Sequence, residues 1–143
     1  MEVDFDSTNN MLEVVCAIIV RREDGAVLLA RRPVGKHLAG KWEFPGGKLE
    51  KGESKEMALQ RELHEELGCR VTIVEALQCS QHTYKDGVSI KMFPMICEVV
   101  KGTAGPRALE HEEIQWVVVD RIGAYDLAAA DVPVWEEFVR QKK

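Results

Sequence analysis

Long hydrophobic runs are missing from this sequence: the longest uncharged apolar stretch is Val14 to Val20, far short of the roughly 20 residues that a membrane-spanning helix requires. No transmembrane segment is expected. The start, Met1-Glu2-Val3-Asp4-Phe5-Asp6, lacks the basic region and apolar stretch of a secretory signal, so a cytoplasmic location is expected. Positive charge is also in short supply. The 143 residues carry 24 Asp and Glu against 19 Lys and Arg, a net charge of −5 and a pI near 5.4. That balance argues against a protein that holds nucleic acid on a basic patch of its own, because such binding needs clustered Lys and Arg. Any phosphate the protein handles calls for a cation as intermediary. The four cysteines, Cys16, Cys69, Cys79 and Cys97, are widely separated and form no C-x-x-C pair; they are expected to be reduced core thiols rather than disulfides or zinc ligands. No repeat, low-complexity tract or Pro/Gly/Ser linker divides the chain. One domain over residues 11–143 is expected, behind a loose polar tail at residues 1–10.

What is present suits a globule with a sizeable core: 45% of residues are hydrophobic and 30% charged. Leu12 to Arg22 is rich in Val and Ile, Asp24-Gly25 supplies a turn, and Val27 to Arg31 resumes an apolar run, which together read as a hairpin. A second pair, Val71 to Tyr84 and Val88 to Val100, is joined at Asp86-Gly87, and Ile114 to Val119 adds a strand. One helix is expected from an N-cap at Ser54 to a stop at Gly68, and another from Asp131 to Arg140. These elements predict an α/β (α+β) domain with a mixed sheet sandwiched between helices.

On the first helix, Leu59, Leu63 and Leu67 form an apolar ridge. Glu62, Glu65 and Glu66 fall at i, i+3 and i+4 beside it, so three carboxylates share one face. They make either a solvated helix face or a site for a hard divalent cation, which takes oxygen ligands and bridges to substrate phosphates. The preceding segment favours the cation. Gly46-Gly47 lets backbone approach a ligand closely, Glu50 and Glu53 sit in the loop that follows, and from Glu43 to Cys69 seven Glu face four Lys and Arg, a local net charge of −3.

Gly47, Glu53 and Arg61-Glu62-Leu63-His64-Glu65-Glu66-Leu67-Gly68 resemble the Nudix box, G-x5-E-x7-R-E-U-x-E-E-x-G-U, where U is bulky and aliphatic. All fixed positions are present; only the last differs, Cys69 standing where an aliphatic residue is usual. Leu28 to Pro33 and Gly40 to Lys48 are similar to the MutT branch of the family, and Leu127 to Val134 is similar to its CTP pyrophosphohydrolase members. The resemblance implies a Nudix fold with a strand–loop–helix catalytic motif. It also implies hydrolysis of a nucleoside triphosphate to monophosphate and pyrophosphate with Mg2+, or Mn2+ in its place. The metal would be held by Glu62, Glu65, Glu66 and the Gly46 carbonyl, with Arg61 and Glu53 in the supporting network. Glu110 falls where the branch places a further carboxylate for metal or proton, although a solvated loop glutamate fits the residue as well. Glu62 is the first choice of general base, with Glu53 and Glu110 as rivals.

For the nucleobase the resemblance points to Arg32, Glu43, Phe44 and Asp131, the last being equally a helix N-cap. Trp116 and Trp135 are expected in the core. His37, His64, His82 and His111 show no metal spacing, and His64 is expected to be exposed. The substrate class is modified or oxidised nucleotides such as 8-oxo-dGTP, or CTP and 5-methyl-dCTP. A nucleoside diphosphate derivative such as ADP-ribose is the alternative within the fold, and a non-catalytic nucleotide sensor the alternative outside catalysis. The expected partner is a small nucleotide, with no nucleic acid or membrane, and the protein a monomer or homodimer.

Overall fold

The computed structural model describes residues 11–35 and 38–142; the tail at residues 1–10 and His37 lie outside them. Among the described residues eight strands form two sheets. In the first, β4 (Gly46–Lys48), β1 (Met11–Ile19), β7 (Ser89–Val99) and β5 (Val71–Ala76) follow in that order, with β6 (Ser80–Thr83) also paired to β7. In the second, β3 (Trp42–Glu43), β2 (Val27–Arg31) and β8 (Glu113–Val117) follow one another. The β1–β7 pair is parallel, from Met11 opposite Ser89 to Ile19 opposite Cys97, and the other pairs are antiparallel.

Strand β1 is the spine, and its sequence shows why. Val15 to Ile19 are all buried, as expected of a strand covered on both faces. Val15, Ala17 and Ile19 pack with Leu59, Leu63 and Leu67 of α1 (Lys55–Leu67). The alternate residues Cys16 and Ile18 pack with Val134 and Phe138 of α2 (Val132–Lys142). The period-two alternation of one strand thus feeds two cores and puts a helix on each side.

Three expectations change. The Asp24-Gly25 turn forms, with Gly25 at φ +74° and Arg21 bonded to Asp24, but β1 and β2 share no ladder, only an isolated Val20–Val27 bridge beyond the end of β1, and they lie in separate sheets. The run is not a simple hairpin, because each strand finds longer partners elsewhere. The stretch from Val71 to Tyr84 is two strands, β5 and β6, which pair with successive parts of β7, and the β5 register shifts between Ile73 and Glu75. Cys16, Cys69 and Cys97 are buried free thiols as expected, whereas Cys79, in the break between β5 and β6, is exposed. Trp116 and Trp135 are half-buried, with Arg21 over the Trp116 ring at 5.0 Å and Trp135 stacked on Phe138 at 5.6 Å.

Candidate active site

The first helix begins and ends where its residues dictate. Ser54 Oγ accepts the Met57 N–H at 3.1 Å, and Gly68, at φ +64° in the left-handed region, closes the last turn by donating its N–H to the His64 carbonyl. With the leucine ridge fixed against β1, the neighbouring face carrying Glu62 and Glu66 is forced toward β4. There Gly47 admits it: a Cβ on Gly47 would collide with the Glu62 carboxylate. Gly46 is needed for a different reason, since a Cβ there would overlap the Val15 carbonyl oxygen of β1.

Arg61 gathers the acidic loop. Its Nε and Nη2 donate to the two oxygens of Glu53 at 2.7 and 2.9 Å, its Nη1 donates to Glu62 at 3.1 Å, and its Nη2 also donates to the Lys48 carbonyl. Glu65 lies 3.6 Å from the same guanidinium at a more exposed position. The paired Arg61 side chain and the Glu50 N–H hold the Glu53 carboxyl below its ordinary value, and both its oxygens are engaged by Arg61. Arg61 is itself raised, chiefly by the Glu53 hydrogen bonds.

Glu66 is the reverse case. It is 8% exposed, and its Oε1 is buried without a hydrogen-bond partner. Burial, the adjoining Glu62 carboxyl and the charges of Glu43 and Glu110 push its pKa up to about 10. Four carboxylates converging on one another in a partly buried place are costly without a cation. Their donor set is oxygen only, which suits a hard divalent ion such as Mg2+. By the chemistry of their donors, Glu62, Glu65, Glu66, Glu110 and the Gly46 carbonyl are the groups that would hold such an ion. Among the described residues no group of three or more His, Cys, Asp or Glu side chains is placed so that it could hold a metal ion.

The same cavity, about 760 Å3, continues from Gly46, Gly47, Glu66 and Glu110 to Arg32, Glu43, Phe44 and Asp131. Two backbone linkages bring these distant residues together. Trp42 donates its N–H to the Asp126 carbonyl and accepts the Ala128 N–H, so the segment before α2 runs beside β3 and delivers Asp131 to Phe44. Asp131, 4% exposed, then accepts the Phe44 N–H at 3.2 Å. That bond runs to the residue just after β3, 87 residues away in the chain. Burial and the nearby Glu43 raise its carboxyl well above the usual range, against the opposing pull of Phe44 N–H and Arg32. Phe44 is buried, its ring 6.5 Å from that of Trp135.

The second linkage is the loop after β7. Arg107 and Leu109 donate their N–H groups to the Leu67 and Glu66 carbonyls at the end of α1, and Glu112 donates to the Arg31 carbonyl of β2. Glu110 is thereby held on the cavity wall. So is His111, which sequence reasoning passed over: its Nε2 donates to Glu43 Oε2 at 2.9 Å. Spacing gives no hint of this contact, since the partners are 68 residues apart. Tyr84 and Asp86, from the β6–β7 connection, also line the cavity and were likewise not singled out. His64 is exposed as expected, and none of the described helices is long and apolar enough to cross a membrane.

The chain matches the NUDIX domain model over residues 11–138. It is 42% identical over 129 residues to the CTP pyrophosphohydrolase of Escherichia coli, covering 90% of this chain and 92% of that one. It is 32% identical over 116 residues to the 8-oxo-dGTP diphosphatase of the same organism, covering 81% and 88%. The crystal structure of the MutT protein from Methanosarcina mazei superposes with a TM-score of 0.77 at 27% identity, covering 94% of this chain and 97% of that one. The strand, glycine loop and glutamate-bearing helix, together with these similarities, establish that the chain belongs to the Nudix family, in its MutT-like branch.

Proposed function

We propose that the protein is a Mg2+-dependent nucleoside triphosphate pyrophosphohydrolase, converting a nucleoside triphosphate and water to the monophosphate and pyrophosphate. The observation that carries this reading is the single cavity lined both by Glu110 and Glu66, whose Oε1 is buried without a hydrogen-bond partner, and by Arg32, Phe44 and Asp131. Such a cavity can take a polyanion and a flat base together. A divalent cation at the glutamates supplies neutralisation of phosphate oxygens and acidifies the attacking water.

The remaining work falls to the chain. Glu62, freed of the bidentate pairing that occupies Glu53, takes the proton from water. Arg61 keeps Glu62 oriented through a charge-assisted bond. Phe44 covers the base, and the Asp131 carboxyl, held on the Phe44 amide, meets polar groups on its edge. Similarity to the E. coli relative named for CTP, which aligns over 92% of its own length, supports action on cytosine nucleotides, with modified nucleotides as the other substrates, by a cytoplasmic monomer or homodimer whose single domain spans residues 11–143.

The test is pyrophosphate release from CTP, 5-methyl-dCTP, 8-oxo-dGTP and dGTP, with ADP-ribose in the same panel and Mg2+ present or withheld. Metal-dependent pyrophosphate from at least one triphosphate is expected, with Glu66→Gln nearly inactive but folded. Cleavage of ADP-ribose alone would replace the triphosphate reading, and nucleotide binding without any turnover would make the protein a sensor.

A further inference from the structure

We infer that His111 is a positioning residue: it fixes the Glu43 carboxylate in the nucleobase end of the cavity, an inference that rests on the nucleotide reading above. Glu43 reaches its place from β3 and uses both oxygens. Oε1 accepts from Arg32 Nη1 at 3.1 Å, and Oε2 accepts from His111 Nε2 at 2.9 Å. The terminal torsion of a glutamate is broad, so one hydrogen bond leaves the carboxylate free to swing about the bonded oxygen. A second donor on the other oxygen removes that freedom.

His111 is able to serve because its own freedom is already spent. Its side chain is 6% exposed, and the backbone on either side is tied, through Leu109 N–H to the Glu66 carbonyl and through Glu112 N–H to the Arg31 carbonyl. Nε2 lies 4.0 Å from Glu66 Oε1, beyond hydrogen-bond reach, so the imidazole belongs to Glu43 and not to the metal carboxylates. Because the acceptor is a carboxylate oxygen, Nε2 is the nitrogen that carries the proton. The consequence is that Arg32, whose charge helps define the base end, is aimed by a chain of contacts that begins in the loop after β7. Nucleotide affinity should therefore depend on a histidine outside the box and outside β3.

Two amides separate this role from simple packing. A glutamine at position 111 can bring its side-chain nitrogen to the place of Nε2, whereas an asparagine ends near the place of Nδ1 and cannot reach Glu43. Binding of CMP, dCMP and dGMP is measured by calorimetry, and KM and kcat by pyrophosphate release. His111→Asn is expected to weaken monophosphate binding and raise KM about tenfold, as for loss of a hydrogen bond to a charged group, with kcat changed less than about threefold. His111→Gln is expected to stay within about threefold of the wild type in all of these. His111→Met, apolar and of similar length, carries the same expectation as the Asn variant if that variant folds poorly. In a Glu43→Ala background, His111→Asn should cost nothing further, because the carboxylate through which His111 acts is gone.

Equal behaviour of the Asn and Gln variants, or a loss that multiplies with that of Glu43→Ala, overturns the inference. A wild-type protein that binds monophosphates and releases no pyrophosphate refutes the hydrolase reading alone, and the binding series then decides the role of His111. A wild-type protein that binds none of the three and releases no pyrophosphate from any triphosphate overturns both.

Discussion

Two adjacent glycines should fail in opposite ways when each is given a single methyl group. At Gly47 φ is negative, so alanine is tolerated by the backbone. What its Cβ meets is the carboxylate of Glu62, the far end of a flexible side chain. The fold can absorb Gly47→Ala by displacing that carboxylate, which also takes it from Arg61, now 3.1 Å away. A misplacement on the order of 1 Å at a reacting group can cost about 100-fold in rate, or about 3 kcal/mol of barrier. At Gly46 the added Cβ meets the Val15 carbonyl oxygen and the Cys16 Cα, backbone atoms of the central strand. They cannot give way without opening the β1–β4 pair, where Cys16 faces Gly46. Overpacking of that kind costs about 1–3 kcal/mol or more in stability. Thermal denaturation and pyrophosphate release, each with and without Mg2+, read the two effects separately. Gly47→Ala should melt within a few degrees of the wild type, lose about 100-fold in rate and show a smaller Mg2+-induced rise in Tm. Gly46→Ala should melt well below it. Wild-type turnover by Gly47→Ala, or equal destabilisation by both variants, would refute the placement of Glu62 against β4.

Leu63 has no exposed surface and packs with Val15, Leu59 and Leu67; Leu63→Ala should cost about 2–5 kcal/mol, a fall in Tm on the order of 10 °C. Thiol titration at pH 8 should find one fast equivalent, abolished by Cys79→Ser. Cys79 alone among the described cysteines is exposed, and burial holds the Cys69 and Cys97 thiols up to about 11 and about 12 and raises Cys16 further from reactivity. The Asp24 carboxyl, lowered to about 2 by Arg21 and the Ala26 N–H, should titrate there by NMR. Since its folded value lies below the unfolded 3.8, its contribution is present above that value and lost as pH falls toward 2. Asp24→Asn should accordingly flatten the stability profile between about pH 4 and 2.

The parts of the fold that were legible are those that local chemistry specifies. The Ser54 cap, the left-handed Gly68, the leucine ridge and the adjoining glutamates all lie within one helix, where 3.6-residue geometry fixes which side chains share a face. The fate of the strands was not legible. Val27 to Arg31 and Val71 to Tyr84 have the right residues for strands, but which sheet a strand joins, and where a long run breaks, is settled by pairing with partners far along the chain, such as β7 for both β5 and β6.

The candidate site divides along the same line. The sequence by itself determined the box: its glutamates, its arginine and Gly47, which admits Glu62, act at separations a helix and a loop can bridge. Only the tertiary structure decided that Glu66 is the carboxylate with a buried, unpartnered oxygen, that Asp131 accepts the Phe44 N–H, and that His111 meets Glu43. Each of those outcomes depends on burial or on a hydrogen bond between elements distant in sequence. Desolvation and directional bonding, unlike periodicity, have no value until the chain has closed around the group concerned.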